Sequence, residues 1–326
     1  MKRLAKMRRR WAIGIDFGGT FVKLGAVHPA GRVALARVVP TAVVSRPAPF
    51  LDGVTGEVRR MCRQVGISPR RLAGVGIGAP GLVDAARGVV RSLVNVPGWR
   101  DVALAERLSR RLGCRCAVDN DANLYVLGEW WAGAGARARS LFGLTLGTGV
   151  GGGLVLDGRV YHGANGSAGE FGHTLLAPGG ARCACGSRGC LEAYLGTAAI
   201  LRMARRAMRR GAPRLRRLME RSGGPLTPAV VSAAAREGDP AARAIWREVG
   251  CALGMGLSSL INLLNPDRIV IGGGVANAWP FFMPAVRATV RRQAMPAASR
   301  AAAIVRAQLG DRAGILGAAV LIWRAS

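Results

Sequence analysis

Short apolar runs alternate along the chain with longer stretches in which apolar residues recur at helical spacing. The short runs predict strands at residues 11–15, 21–27, 32–39, 72–77, 114–118, 141–146, 153–156, 268–271 and 303–307. The helical spacing predicts helices at residues 51–65, 102–112, 124–131, 198–210, 227–238, 240–264, 282–293 and 314–323. Strands that alternate with helices in this order indicate the α/β class, in which helices cover the faces of a sheet.

Two predicted strand pairs are each joined by a glycine turn that carries a threonine. The sequence DFGGT occupies residues 16–20, and GTGVG occupies residues 147–151. Glycine permits positive φ and lets backbone N–H groups approach an anion closely, so each turn could bind phosphate. In the first turn Asp16 could hold a hydrated Mg²⁺, and Lys23 on the following strand could reach the same anion. An ordinary hairpin with a tight turn is the alternative for this segment.

Two segments match the dinucleotide-binding pattern GxGxxG by letter, at residues 76–81 and 147–152. That pattern requires a helix directly after the glycines, with its N-terminus facing the pyrophosphate. The first match contains Pro80 and runs into LVDAARGVV, and the second runs into an apolar strand. Neither segment opens a helix, so the two matches do not predict an NAD-dependent oxidoreductase.

Polar side chains crowd the end of the strand predicted at residues 114–118, where DNDAN occupies residues 119–123. The carboxyl end of a strand that precedes a helix is where α/β proteins place their ligands. Asp121 or Asn123 could instead cap the next helix. Capping needs one polar residue and this segment has four, so it is a candidate ligand site.

A cysteine cluster with a nearby histidine predicts a metal site. The candidate ligands are Cys183, Cys185, Cys190 and His173. Three thiolates and one imidazole form a closed tetrahedral structural zinc site, and the glycines of CACGSRGC suit a tight metal-binding turn. Glu170 and Glu192 flank the cluster, and together with the second imidazole nitrogen they could bind the hydroxyls of a sugar. A purely stabilising zinc loop with solvated glutamates is the alternative.

The composition limits the classes of function without selecting one. The chain has 326 residues and a formal net charge of +29, and arginine supplies nearly all of its cations. A nucleic acid or polyphosphate partner would explain this charge. However, the arginines are spread along the chain, and no basic motif carries aromatic residues for base stacking. These two observations favour a solvated basic surface. No apolar run reaches the length of a membrane span or a secretory signal. We therefore expect a cytoplasmic protein that binds neither membranes nor nucleic acid.

Several of these motifs occur together in a known family. DFGGT, VGIGAPG, VDNDAN, LGTGVGGG, GEFGH, CACGSRGCLE and IVIGGGV follow one another in this order, and the chain resembles the ROK family of sugar kinases and sugar-responsive repressors from about residue 11 to the C-terminus. The resemblance implies the actin-like ATPase (ribonuclease H-like) fold, with two α/β domains around a cleft and a zinc knuckle. We expect a small domain at residues 1–120, completed by a helix at 312–326, and a large domain at 121–311.

The resemblance also implies a role for each matching residue. Asp121 is implied to be the general base, and the cofactors are ATP, Mg²⁺ and a structural Zn²⁺. The implied sugar-binding residues are Asn120, Asp121, Glu170, His173, Glu192, Gly81 and Asn95. The implied nucleotide-binding residues are Asp16, Gly18, Gly19, Thr20, Lys23, Thr148, Gly149, Gly273 and Gly274. The implied metal ligands are His173, Cys183, Cys185 and Cys190 for zinc, and Asp16 for magnesium.

These roles predict ATP-dependent phosphorylation of a hexose, with conversion of glucose to glucose 6-phosphate as the first expectation. N-acetylmannosamine, N-acetylglucosamine, fructose and allose are alternative substrates, and polyphosphate is an alternative donor. A sugar-responsive transcriptional regulator is the competing class, but ten residues precede the first predicted strand, too few for a helix-turn-helix module. The resemblance further implies a homodimer or homotetramer.

Overall fold

Strands and helices alternate along the chain, as the hydrophobic pattern predicts. The computed structural model describes residues 10–44, 46–93 and 98–324. Its strands are β1 Ala12–Phe17, β2 Phe21–Val27, β3 Val33–Pro40, β4 Gly74–Ala79, β5 Leu82–Asp84, β6 Val89–Ser92, β7 Arg100–Val102, β8 Cys116–Asn120, β9 Ser140–Leu146, β10 Val150–Leu156, β11 Arg159–Val160, β12 Arg268–Gly272 and β13 Ala303–Arg306. Its helices are α1 Pro47–Gln64, α2 Leu104–Leu112, α3 Asp121–Ala132, α4 Glu192–Leu195, α5 Thr197–Arg209, α6 Pro213–Arg221, α7 Pro228–Arg236, α8 Pro240–Leu264, α9 Trp279–Gln293, α10 Pro296–Ala301 and α11 Arg312–Arg324.

The first sheet has the spatial order β3-β2-β1-β4-β8. Strands β1, β2 and β3 form an antiparallel meander, whereas β4 pairs in parallel with β1 and with β8. Strand β4 is buried along its whole length and β1 along nearly all of it, which explains why both appear as continuous apolar runs in the sequence. Because β1, β4 and β8 are parallel, their carboxyl ends meet at one edge of this sheet.

The second sheet has the order β11-β10-β9-β12-β13 and so repeats the strand order of the first. Strand β11 pairs antiparallel with β10, and β13 pairs in parallel with β12. A separate small sheet has the order β5-β6-β7. The repeated order and the alternating helices give the α/β class that the sequence predicts.

The chain divides into two compact units. Unit 1 contains the described residues of Met1–Gly143, Gly153–Gly169 and Ala307–Ser326, and unit 2 contains Leu144–Gly152 and Glu170–Arg306. The expected division after residue 120 would place α3 in the second domain. The structure instead keeps α3 in unit 1, because α11 packs against α3 as well as against β1 and β4.

Glu129 is a buried link within unit 1 that the sequence pattern does not reveal. It lies on α3, and its side chain is fully buried. Its carboxylate accepts hydrogen bonds from the backbone N–H groups of Ala134, Gln308 and Leu309, at 2.7–3.2 Å. These donors offset the cost of burying the charge. Glu129 therefore fixes the segment that leads into α11 against the end of α3.

Some element boundaries differ from the predicted ones for local physical reasons. Helix α3 begins at Asp121 instead of residue 124, because the side chain of Asn120 caps it. Helix α6 is absent from the prediction, since arginine fills its exposed positions and Leu215 is its one fully buried side chain. In the described part of the chain, no helix is long and apolar enough to cross a membrane.

Candidate active site

The end of β8 brings together several of the sugar-binding candidates of unit 1. The Asn120 side-chain oxygen accepts hydrogen bonds from the backbone N–H groups of Ala122 at 2.9 Å and Asn123 at 3.2 Å. Its amide nitrogen donates to the carbonyl oxygen of Gly81 at 3.1 Å. Asn120, and not Asp121 or Asn123, is thus the N-cap of α3, and one of its two amide hydrogens remains for a ligand.

Asp121 is the first residue of α3 and is half-buried. Its carboxylate oxygen accepts a hydrogen bond from the N–H of Ala122 at 2.8 Å. The N–H groups at a helix start attract negative charge, so an acidic side chain is favourable at this position. The structure therefore places Asp121 next to the capping residue Asn120, at the carboxyl end of β8.

Asp119 is the first residue of the DNDAN segment, and the family resemblance implies no individual role for it. Its side chain is 1% exposed, and its carboxylate accepts three hydrogen bonds. The donors are the backbone N–H of Asn120 at 2.7 Å, the Asn123 side-chain amide at 3.1 Å and the His162 imidazole at 2.8 Å. The hydrogen bond to Asp119 raises the pKa of His162 above the ordinary value for histidine. No sequence motif links residues 119 and 162, which are brought together only by folding.

The DFGGT turn joins β1 to β2 as a hairpin, with Gly19 and Thr20 exposed at its tip. The N–H of Gly18 donates to the carbonyl oxygen of Phe21 at 3.0 Å and closes the turn. Phe17 points into the core, where its ring stacks on Phe50 with a centroid distance of 4.5 Å. The segment therefore forms an ordinary tight hairpin, which was the alternative to a phosphate-binding turn. It also exposes glycine at the edge of the sheet, as a phosphate-binding turn requires.

A charged cluster lies next to this hairpin in unit 1. Asp16 stands opposite Lys23 across the β1–β2 pair, and the Lys23 ammonium contacts the carboxylate of Asp311 at 2.7 Å. Burial raises the pKa of Asp16, and the nearby Lys23 charge opposes that shift. The pairing of Lys23 with Asp311 was not predicted. Two carboxylates and one ammonium at this edge suit a hydrated divalent cation and a phosphate.

The GTGVG turn of unit 2 is held by two neighbouring segments. Thr197 at the start of α5 donates its backbone N–H, at 3.0 Å, and its hydroxyl, at 2.8 Å, to the carbonyl oxygen of Gly147. The Glu192 carboxylate accepts the N–H of Val150 at 2.9 Å. Gly149 lies so close to this carboxylate that a Cβ there would collide with it. Thr148 remains exposed at the tip of the turn.

The glycines that follow β12 lie beside the same turn. Gly273 has φ +85°, and its backbone packs against the backbone of Leu146, the last residue of β9. An L residue at position 273 would be strained by the positive φ, and its Cβ would also collide with the Leu146 backbone. Gly274 next to it is exposed. The predicted phosphate turn and the predicted adenosine glycines are therefore adjacent within unit 2.

The four predicted metal ligands converge in unit 2. His173, Cys183, Cys185 and Cys190 each offer one ligand atom, and these atoms all lie within 4.8 Å of one another. The His173 Nδ1 atom is 3.7 Å from the Cys183 sulfur, and the sulfurs of Cys185 and Cys190 are 3.7 Å apart. A tetrahedral zinc with Zn–S bonds of about 2.3 Å separates its sulfurs by about 3.8 Å. The donor set and its spacing therefore fit a structural zinc ion.

The carboxylates of Glu170 and Glu192 border this cluster on different sides. The Glu170 carboxylate lies 3.8 Å from the His173 Nε2 atom, the ring nitrogen that does not face Cys183. The Cys183 thiol approaches the other oxygen of Glu192 at 3.7 Å. Glu192 thus contacts both the cysteine cluster and the GTGVG turn. His173 therefore directs Nδ1 toward the cysteine cluster and Nε2 toward the Glu170 carboxylate.

Comparison with known proteins assigns the chain to a family. Residues 12–325 match the ROK family. The chain belongs to the ROK family. This ROK protein is similar to a glucokinase of Halalkalibacterium halodurans, with 36% identity over 97% of this chain and 96% of the relative. It is also similar to the solved structure of a ROK family glucokinase from Streptomyces griseus in complex with glucose and AMPPNP, with 34% identity, 95% and 98% coverage and a TM-score of 0.80.

Regulators of the ROK family also resemble this chain. A xylose repressor of Caldicellulosiruptor bescii is 27% identical over 95% of this chain and 77% of the repressor. Similarity to this chain therefore extends to a repressor as well as to kinases. The actin-like ATPase fold of the ROK sugar kinases is the fold of this chain. Of the candidate site residues, Asn95 alone lies outside the described residues.

Replacement of Gly149 by Ala is expected to destabilise the ROK protein by about 1–3 kcal/mol. The new Cβ would displace the Glu192 carboxylate and leave the N–H of Val150 without its acceptor. The midpoint of thermal unfolding measures this effect. Gly147→Ala is the matched control, because a Cβ there meets no heavy atom within 4 Å. Equal midpoints for the two variants would contradict the role of Glu192 in holding the turn.

Proposed function

We propose that this ROK protein transfers the γ-phosphoryl group of ATP to a hexose, with glucose as its substrate and glucose 6-phosphate as its product. The observation that carries the proposal is the half-buried Asp121 at the start of α3, held beside the cap residue Asn120. The similarity to glucokinases over nearly the whole chain supports the same assignment. A carboxylate at this position suits the removal of a proton from a sugar hydroxyl.

The proposal assigns the sugar-binding role to polar groups of both units. In unit 1 these are Asp121, the free amide hydrogen of Asn120 and the backbone of Gly81. In unit 2 they are Glu170, His173 and Glu192. Carboxylates accept hydrogen bonds from hydroxyl groups, and a fixed imidazole nitrogen can donate or accept. Asn95 is assigned to the same role from the family resemblance alone.

Nucleotide binding is assigned to the glycine turns. The glycine turns at Gly18, Gly19 and Thr20 in unit 1 and at Thr148 and Gly149 in unit 2 would face phosphate oxygens, with Gly19, Thr20 and Thr148 exposed. Gly273 and Gly274 would admit the adenosine. Asp16 would hold Mg²⁺, and this ion, when bound, would neutralise part of the phosphate charge. Lys23 would leave its contact with Asp311 and place its positive charge near the phosphate at the same edge.

Catalysis follows from positioning and from one proton transfer. A sugar hydroxyl is a poor nucleophile, so Asp121 would take its proton as the bond between oxygen and phosphorus forms and the bond to the leaving diphosphate breaks. Backbone N–H groups of the glycine turns would stabilise the negative charge on the transferred group. Asn120 would orient the hydroxyl toward Asp121. The chemistry thus needs no covalent intermediate on the protein.

Zinc is assigned a structural role in the proposal. His173, Cys183, Cys185 and Cys190 would fill all four positions of a tetrahedral ion and leave none for substrate. A backbone hydrogen bond from Ser187 lowers the pKa of Cys185 to about 7, whereas burial raises the pKa values of Cys183 and Cys190. Zinc binding would therefore displace the protons of those two thiols. When bound, the ion would fix the His173 ring and, through Cys183, the position of Glu192. It would thereby order the sugar-binding residues of unit 2.

A coupled assay across a panel of sugars tests the proposed function. The panel contains glucose, N-acetylglucosamine, N-acetylmannosamine, fructose and allose, each with ATP and with inorganic polyphosphate as donor. We expect the highest kcat/KM with glucose and ATP. A higher value for an N-acetylhexosamine would replace glucose as the substrate, and no turnover with any sugar would contradict the enzyme assignment.

Light scattering on the same sample tests the expected dimer or tetramer. The cytoplasmic location remains a prediction.

A further inference from the structure

His162 is a partly exposed histidine whose imidazole reaches a buried carboxylate. It follows β11 in the segment Gly153–Gly169 of unit 1. Its side chain is 36% exposed, whereas Asp119 is 1% exposed, and the distance between His162 Nε2 and Asp119 Oδ2 is 2.8 Å. A hydrogen bond to a buried carboxylate is stronger than one in water, because the surroundings screen it less. This contact is therefore a defined feature of the fold and not a solvated ion pair.

The backbone around His162 is itself held in place. The N–H of Tyr161 donates to the carbonyl oxygen of Leu154 at 2.8 Å, and the N–H of Ala168 donates to the carbonyl oxygen of His162 at 3.2 Å. Further along, Gly166 packs against the carbonyl oxygen of Val83. These contacts restrict the segment, so the imidazole is presented to Asp119 from a fixed position.

The two oxygens of Asp119 face different elements. Oδ2 accepts from His162, and Oδ1 accepts from the backbone N–H of Asn120 and from the Asn123 side chain. Oδ1 therefore joins the last residue of β8 to the first turn of α3. Rotation of the carboxylate would break both bonds to Oδ1, and the Asn120 N–H and the Asn123 side chain at the β8–α3 junction would lose their acceptor. The imidazole on Oδ2 opposes that rotation.

We propose that His162 is a positioning residue for the phosphoryl transfer, acting through Asp119 to hold the peptide that carries Asn120 and Asp121. The inference rests on the proposed function and extends it to a residue with no contact to the reacting atoms. A general base contributes only when its carboxylate lies within hydrogen-bond reach of the hydroxyl, so a small displacement of Asp121 lowers turnover strongly.

The kinetic test compares two substitutions of His162 with a histidine control. His162→Ala removes the donor and is expected to lower kcat with glucose by about 10- to 100-fold, with the KM for ATP unchanged within about 3-fold. His162→Gln keeps an N–H donor at similar reach and is expected to recover kcat to within about 5-fold of wild type. His28→Ala is the control, since His28 lies at the end of β2 and contacts Trp11 and Ala30. Wild-type kcat in His162→Ala, or equal loss in both His162 variants, would overturn the proposal.

A second measurement tests the contact without any enzyme assay. The chain has 3 histidines, so NMR can follow the titration of each imidazole in the wild-type protein and assign it by single substitution. His162 is expected to titrate above the ordinary histidine pKa, because the Asp119 carboxylate favours the imidazolium. An ordinary pKa for His162 would overturn the pairing. A wild-type protein that phosphorylates no sugar would instead contradict the proposed function, and the titration would still report on the pair.

Discussion

Replacement of Asp121 by Asn is expected to lower kcat for glucose phosphorylation by about 10²- to 10⁴-fold while glucose still binds. The amide has nearly the same shape as the carboxylate but does not accept the hydroxyl proton. Asn at this position keeps a polar group at the start of α3, so the cap formed by Asn120 is retained. Loss of the charge removes its favourable interaction with the helix N-terminus, at a cost of about 0.3–1 kcal/mol. The variant should therefore fold and bind sugar but turn over slowly.

The measurement combines steady-state kinetics with glucose binding by calorimetry. We expect the dissociation constant for glucose to change by less than about 3-fold, because Asn retains a hydrogen-bonding group for the sugar. Asp157→Asn is the matched control, since Asp157 is exposed, belongs to unit 1 and has a positive φ that Asn tolerates. That variant should keep wild-type kcat. Near-normal turnover in Asp121→Asn would remove Asp121 from the role of general base.

Substitution of Cys190 by Ser is expected to abolish zinc binding and to raise the KM for glucose by about 10-fold or more. The purified wild-type protein should contain about one zinc per chain, and the variant about none, because the loss of one thiolate opens a closed four-ligand site. Without the ion, His173 is no longer fixed between Cys183 and Glu170. The Cys183 contact that borders Glu192 is released as well.

Metal analysis and thermal unfolding check this expectation on the same samples. Cys251→Ser is the matched control, since Cys251 is an exposed cysteine of α8 and lies outside the cluster. It should retain both zinc and the wild-type midpoint of unfolding. Treatment of the wild-type protein with a chelator should reproduce the effect of Cys190→Ser. Wild-type protein that contains no zinc would refute the metal site. A wild-type KM for glucose in a zinc-free variant would show that sugar binding does not depend on the metal.

The sequence alone predicts the α/β class and the identity of most candidate site residues. Strands such as β1 and β4 are buried on both faces, so their apolar runs are visible without any partner strand. The glycine turns and the cysteine cluster are local in sequence, and backbone geometry or ligand chemistry restricts which residues can occupy them. For this reason the GTGVG turn and the four metal ligands could be named before any contact was known. The converging ligand atoms in unit 2 agree with the predicted cluster.

Only the tertiary structure decided the contacts between residues that lie far apart in the chain. It paired Asp119 with His162, Lys23 with Asp311 and Glu129 with the backbone of residues 308 and 309. It also assigned the cap of α3 to Asn120. Among neighbouring polar residues, the cap is the one whose own backbone is extended directly before the helix. Local sequence patterns report the period and chemistry of a segment, whereas a buried polar group takes whichever partner the fold brings within reach. The residues that carry the proposed chemistry were therefore readable from the sequence, and the partners that hold them were not.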